Sequence, residues 1–114
     1  MHTLERHDLE QKLKTRDDIV LVEVLAQDEY DQYHLPYSIN VPLSDQFESD
    51  IVSRVADNDT PIVVYCKNSR CNASSKAAHR IEVLGYSRVY DYEGGKEDWK
   101  SAGLPIAARD GVQH

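Results

Sequence analysis

The chain has no apolar run long enough to cross a bilayer, and its first fourteen residues, "MHTLERHDLEQKLK", are largely polar. The first absence argues against a membrane-spanning helix and the second against a secretory signal, so the expected address is the cytoplasm. Positive charge is also short. Thirteen Lys and Arg stand against twenty Asp and Glu, for a net charge of −7. A nucleic acid or an anionic membrane selects basic faces, so neither is an expected partner. Internal repeats, low-complexity tracts and long runs of one charge are missing too. The 114 residues are therefore read as one domain, 1–114, large enough for a single core. Cysteine is scarce, with two in the chain. Without a secretory signal these read as cytosolic thiols rather than a structural disulfide.

Both thiols fall in one stretch, "YCKNSRCNASSKAA", from Tyr65 to Ala78. Around it, helical and strand signals alternate. "HDLEQKLK" carries Leu9 and Leu13 one turn apart. "DIVLVEVL" is nearly continuous and β-branched, as in a strand buried on both faces. "QDEYDQYH", Gln27 to His34, has Tyr30, Tyr33 and His34 at helical spacing and is closed by Pro36. "SINVPL" predicts a short strand, and Phe47, Ile51 and Val55 mark another helix. "PIVVYC" predicts a buried strand that delivers Cys66 at its carboxyl end. Ala73, Ala77, Ile81 and Leu84 then form a helical stripe, with Gly85 as its stop. "SRVYDY" predicts a further strand, and "GGKEDWKSAGLP" a turn and a short helix containing Trp99. This alternation predicts an α/β fold, a parallel sheet covered on both faces, with ligands bound beyond the carboxyl ends of the strands.

Cys66 therefore stands where such a fold places its site. A strand–loop–helix joint presents backbone N–H groups, and the helix amino terminus adds roughly half a positive charge. Lys67 and Arg70 add formal charge, Lys76 lies one turn into the helix, and Asn72, Ser74 and Ser75 are each competent to cap it. Screening over roughly 8 Å lets this local charge prevail over the acidic whole. A thiol so placed favours its ionised form and acts as a nucleophile. For Cys71 only nearness to Cys66 argues for a role. Four residues separate the two cysteines, no second pair exists, and no His pair has ligand spacing, so no metal site and no cofactor is expected. A cysteine phosphatase would need an Arg six residues after the nucleophile. That place holds Asn72, and Arg70 comes two residues early, which leaves phosphatase- or arsenate-reductase-like chemistry a minor alternative.

These residues resemble the rhodanese, or sulfurtransferase, domain. "VLVEVLAQDEYDQYHLPYSINVPL" is similar to the family's first half, "PIVVYC" to the strand that carries its catalytic cysteine, and "LGYSRVYDYEGGKEDWKSAGLPI" to its closing signature. The resemblance implies a doubly wound, mainly parallel five-stranded sheet with helices on both faces. It implies that Cys66 accepts a sulfane sulfur from thiosulfate, polysulfide or a persulfide. Cys66 then passes that sulfur to a thiol or cyanide acceptor, or to a sulfur-relay protein. Substrate contacts would come from the backbone N–H groups of Lys67, Asn68, Ser69, Arg70, Cys71 and Asn72. The chain also departs from the family. Glu23 and Leu25 stand where Asp and Arg are usual, so a buried ion pair is altered. Tyr37 and Ser38 replace Gly-Ala. The active loop is longer and holds a second cysteine, as in a subgroup with "CNA". His34 and Trp99 read as structural.

Two functions follow for Cys71. As a resolving thiol it attacks the Cys66 persulfide, which requires the two Cα atoms within about 7 Å. A curled loop allows that, and a helix starting at Ser69 does not. Alternatively the pair makes the chain a thiol-redox or sulfur-carrier module that docks on a basic partner through its acidic surface.

Overall fold

The computed structural model describes residues 2–15, 18–108 and, for the backbone alone, 111–113. In chain order the elements are β1 (His2–Leu4), α1 (Arg6–Lys14), β2 (Val20–Glu23), α2 (Gln27–Gln32), β3 (Ile39–Asn40), α3 (Phe47–Arg54), β4 (Ile62–Tyr65), α4 (Ala73–Val83), β5 (Val89–Tyr92), α5 (Gly95–Ser101), β6 (Ile106–Ala108) and β7 (Gly111–Gln113). The first five strands form one sheet in the order β1-β5-β4-β2-β3. All its pairings are parallel. β6 and β7 make a separate antiparallel pair. No helix among the described residues is long and apolar enough to cross a membrane.

Strand alternation sorts the core into two clusters, one on each sheet face. Ile62, Val64 and Cys66 point with Val22, Val24 and Val89 toward α3 and α4, where they meet Phe47, Ile51, Ala77, Ala78 and Ile81. Val63 and Tyr65 point the other way with Leu21 and Tyr92, toward Leu9 of α1, Trp99 of α5, Leu35 and Ile106. Every residue of β4 is fully buried, as its unbroken apolar run predicts. The expected doubly wound sheet is therefore present. Its central strand, paired with β2 on one side and β5 on the other, carries Cys66 past its carboxyl end.

The structure departs from the sequence expectation at several element ends. β1 is a three-residue edge strand whose partners are Tyr90, Asp91 and Tyr92. Only Leu4 in it is apolar and half-buried, so it leaves no period to read. α2 stops at Gln32, short of the expected His34. Tyr33 is already extended, and the His34 backbone bonds Ala107 in both directions at 2.8 Å. Those tertiary bonds replace the last helical turn. Even so, the Tyr30 and His34 rings stack, with centroids 3.7 Å apart. Val55 caps α3 rather than extending it, and β3 is two residues rather than the whole of "SINVPL".

Candidate active site

The segment between β4 and α4 is a curled loop. α4 begins at Ala73, four residues beyond Ser69, which leaves chain enough to fold back. Asn68 shapes the curl. Its side-chain oxygen accepts from the Arg70 amide at 3.0 Å, its carbonyl accepts from the Cys71 amide at 3.1 Å, and its Nδ2 donates to Glu97 Oε1 at 3.0 Å. The curl brings the Cα atoms of Cys66 and Cys71 to 6.4 Å, and the two sulfurs are paired as a disulfide. This differs from the expectation of two free thiols. The reason is local, because the Asn68 turn returns the chain to Cys66 within the reach that a disulfide needs.

Cys66 is 1 % exposed. Its Sγ lies 3.3 Å from the Cys71 carbonyl oxygen and 3.5 Å from Ser74 Oγ. Lys67, Ser69, Arg70 and Asn72 are exposed around it, and Asn68 and Cys71 are half-buried. The positive charges of Lys67 and Arg70 thus stand on the outer rim of a loop whose sulfur faces inward. None of the three expected caps closes α4 by its side chain. Asn72 occupies the cap position at φ −98° and ψ 5°, outside the extended geometry that lets a side chain reach back to the helix amides. The Ser75 hydroxyl bonds the Asn72 carbonyl at 3.0 Å, and Ser74 turns inward toward Cys66.

The floor of the loop is the start of α5. The Lys96 amide donates to the Cys66 carbonyl at 3.0 Å, and the Glu97 amide to the Lys67 carbonyl at 2.9 Å. Gly95 makes this approach possible. Its φ is +71°, and a Cβ there would stand 2.6 Å from the Cys66 carbonyl oxygen and the Lys67 carbonyl carbon. The "GG" in the sequence is therefore a site feature as well as a turn.

Lys96 is the residue that sequence reasoning missed. Its side chain is buried and pairs with Glu23 Oε2 at 3.0 Å, with side-chain exposures of 3 % and 0 %. The same ammonium donates to the carbonyls of Glu29 at 2.8 Å and Tyr33 at 2.9 Å. The altered ion pair is thus rebuilt with a cation from α5 instead of one at position 25, just past β2. The signal was available, because an acid inside the apolar run of β2 demands a buried cation. Burial raises the Glu23 carboxyl above its ordinary value, and Lys96 opposes that rise.

A second acid lies under the loop. Asp91 is 1 % exposed, on the β5 residue paired with Val64. Burial pushes the ionisation of its carboxyl to higher pH, and the neighbouring Ser74 hydroxyl opposes that rise. Asp91 Oδ1 has no hydrogen-bond partner. His34 is remote from such chemistry in its bonding. Its Nδ1 lies 2.7 Å from the Tyr30 carbonyl oxygen. Trp99 is packed in the core and donates to the Pro105 carbonyl at 2.7 Å. Among the described residues, no group of three or more His, Cys, Asp and Glu could hold a metal ion.

Comparison with known proteins agrees with this geometry. A model of the rhodanese-like domain matches residues 5–102. The thiosulfate sulfurtransferase GlpE of Coxiella burnetii is 32 % identical over 90 residues, covering 79 % of each chain. A sulfurtransferase of Allochromatium vinosum is 27 % identical over 113 residues, covering 97 % of this chain and 99 % of that one. The crystal structure of a thiosulfate sulfurtransferase from Pseudomonas aeruginosa superposes with a TM-score of 0.84 at 33 % identity, covering 95 % of this chain and 20 % of that longer one.

Proposed function

The chain belongs to the rhodanese-like family, and from that premise we propose that it is a sulfurtransferase carrying sulfane sulfur as a Cys66 persulfide. The observation that carries the reading is the place of Cys66: the carboxyl end of the central strand, under a loop bearing Lys67 and Arg70 and at the amino end of α4. In the reduced protein the Cys66 thiolate attacks the outer sulfur of thiosulfate, a polysulfide or a persulfide. A Cys66–sulfur bond forms, the donor's sulfur–sulfur bond breaks, and sulfite or a thiolate leaves. A thiol or cyanide acceptor then takes the outer sulfur, and the electron pair returns to Cys66 as thiolate. The amides of Lys67 through Asn72 supply hydrogen bonds to the carried sulfur. In the disulfide-closed loop, those of Arg70 and Cys71 are engaged by Asn68. The small anionic donor meets the rim charges first. The work suits a reducing compartment such as the cytoplasm.

Cys71 gives the loop a second exit. Its thiolate attacks the inner sulfur of the Cys66 persulfide, expels hydrosulfide and leaves the Cys66–Cys71 disulfide. A dithiol reductant then restores both thiols. The 6.4 Å Cα separation favours this step and equally favours the alternative, a redox or carrier module.

Turnover separates the two. With thiosulfate or polysulfide in excess and a dithiol present, a sulfurtransferase releases product repeatedly. Cys66→Ser abolishes release, and Cys71→Ser keeps donor loading but slows the dithiol-dependent release of hydrosulfide. One equivalent of product and then arrest, until a protein partner is added, would move the chain to the carrier reading.

A further inference from the structure

This inference rests on Cys66 as the sulfur-carrying nucleophile and concerns how its thiol loses a proton inside the fold. Cys66, Ser74 and Asp91 come from three adjoining elements and are 1 %, 2 % and 1 % exposed. Ser74 Oγ stands 3.5 Å from Cys66 Sγ and lies beside the Asp91 carboxyl. The surrounding wall is apolar, with Val64, Val89, Ala77 and Ala78 in the same cluster as Cys66. Glu23 on the opposite face has Lys96 beside one oxygen, and Glu23 Oε1 and Asp91 Oδ1 are both without a hydrogen-bond partner. Of the charged groups nearby, Glu93 in the turn after β5 further disfavours an ionised Asp91. Arg80 of α4 is engaged by Glu48 of α3. Lys67, Arg70 and Lys76 are exposed on the loop and on α4.

An ionised Asp91 and an ionised Cys66 together would place two like charges in this wall, an arrangement that buried acid pairs avoid by sharing one proton. We infer that Ser74 and Asp91 are the proton path of Cys66. The Cys66 S–H proton passes to Ser74 Oγ as the Ser74 proton passes to the Asp91 carboxylate. The products are a Cys66 thiolate and a neutral Asp91 carboxyl. One negative charge is present before and after. It moves from the deep carboxylate to the sulfur, where the α4 amino terminus and the loop cations stabilise it. Asp91 is a positioning and proton-holding residue that acts through Ser74.

The test uses no sulfur donor, so it can fail while persulfide formation succeeds, and the reverse. Infrared spectra of the reduced Cys71→Ser protein at neutral pH are expected to show a protonated carboxyl stretch that Asp91→Asn removes. Adding Cys66→Ala is expected to let Asp91 ionise and to abolish the same band. Ser74→Ala is expected to slow alkylation of Cys66 at neutral pH several-fold, with Ser74→Thr restoring it. Circular dichroism checks that each variant is folded. An Asp91 that is ionised at neutral pH with Cys66 present, an Asp91 band indifferent to Cys66→Ala, or an alkylation rate unchanged by Ser74→Ala would overturn the proton path.

Discussion

Glu23 and Asp91 are two buried acids in one sheet, and they reach opposite solutions. Glu23 keeps a partner, Lys96, and that ammonium also ties down two carbonyls at the end of α2. Lys96→Met is expected to lower stability by about 3–5 kcal/mol, because it strands a buried charge and two carbonyls. Glu23→Leu added to Lys96→Met is expected to recover most of that loss in urea unfolding. A single-variant loss under about 1 kcal/mol would mean the pair behaves as an exposed one. Asp91 has no cation paired with it among the described residues, and its folded carboxyl ionises above the ordinary 3.8. As pH rises, the unfolded chain gives up this proton first. The contribution of Asp91 to stability is therefore full below that ordinary value and is lost as pH climbs through the raised one. In the oxidised protein, where Cys66 does not titrate, Asp91→Asn is expected to match the parent near pH 3 and to exceed it increasingly toward neutrality. The two denaturation midpoints measured across that range check it, and a constant difference would contradict the assignment.

At the scale of elements, the site depends on how closely α5 approaches the loop after β4. Gly95→Ala adds a Cβ against the Cys66 and Lys67 backbone at φ +71°. Gly103→Ala adds one at φ +77° with nothing within 4 Å. The first is expected to cost more than the roughly 1–2 kcal/mol of left-handed strain alone, and to depress turnover. The second is expected to cost about that strain and leave turnover intact. Equal losses in thermal melts and equal rates would show that the α5 approach does not shape the loop. The same comparison shows what the sequence made legible. β2, β4, β5 and the stripe of α4 announce themselves through unbroken or periodic apolar residues, and with them the position of Cys66. β1 is hidden because an edge strand of three residues, one of them apolar, has no period. The early end of α2 is hidden because its last turn yields to bonds from Ala107, more than seventy residues away in the chain. Ser74 reads in the sequence as a helix cap and Lys96 draws no reading at all, since only the packing of α4 and α5 turns them inward.

As a whole, the molecule joins two apolar clusters through one sheet, with α3 and α4 against one face and α1 and α5 against the other. Trp99, the single tryptophan, belongs to the second cluster, whereas far-ultraviolet circular dichroism sees every element. A chain that folds as one unit is expected to show coincident urea transitions by the two probes, and separated midpoints would divide it. The net charge of −7 surrounds a loop whose rim is basic. Capture of a small anionic donor is therefore local and is expected to weaken only modestly with salt over the range where screening falls to a few ångströms.

The most direct test of the central claim is the intact mass of the reduced protein after brief exposure to thiosulfate or polysulfide, with Cys66→Ser and Cys71→Ser alongside. The account predicts a gain of one sulfur atom that reductant removes, present in Cys71→Ser and absent in Cys66→Ser. No sulfur gained even in Cys71→Ser, with a loss of two hydrogens in the parent that needs both cysteines, would contradict it and leave a redox pair in place of a sulfur carrier.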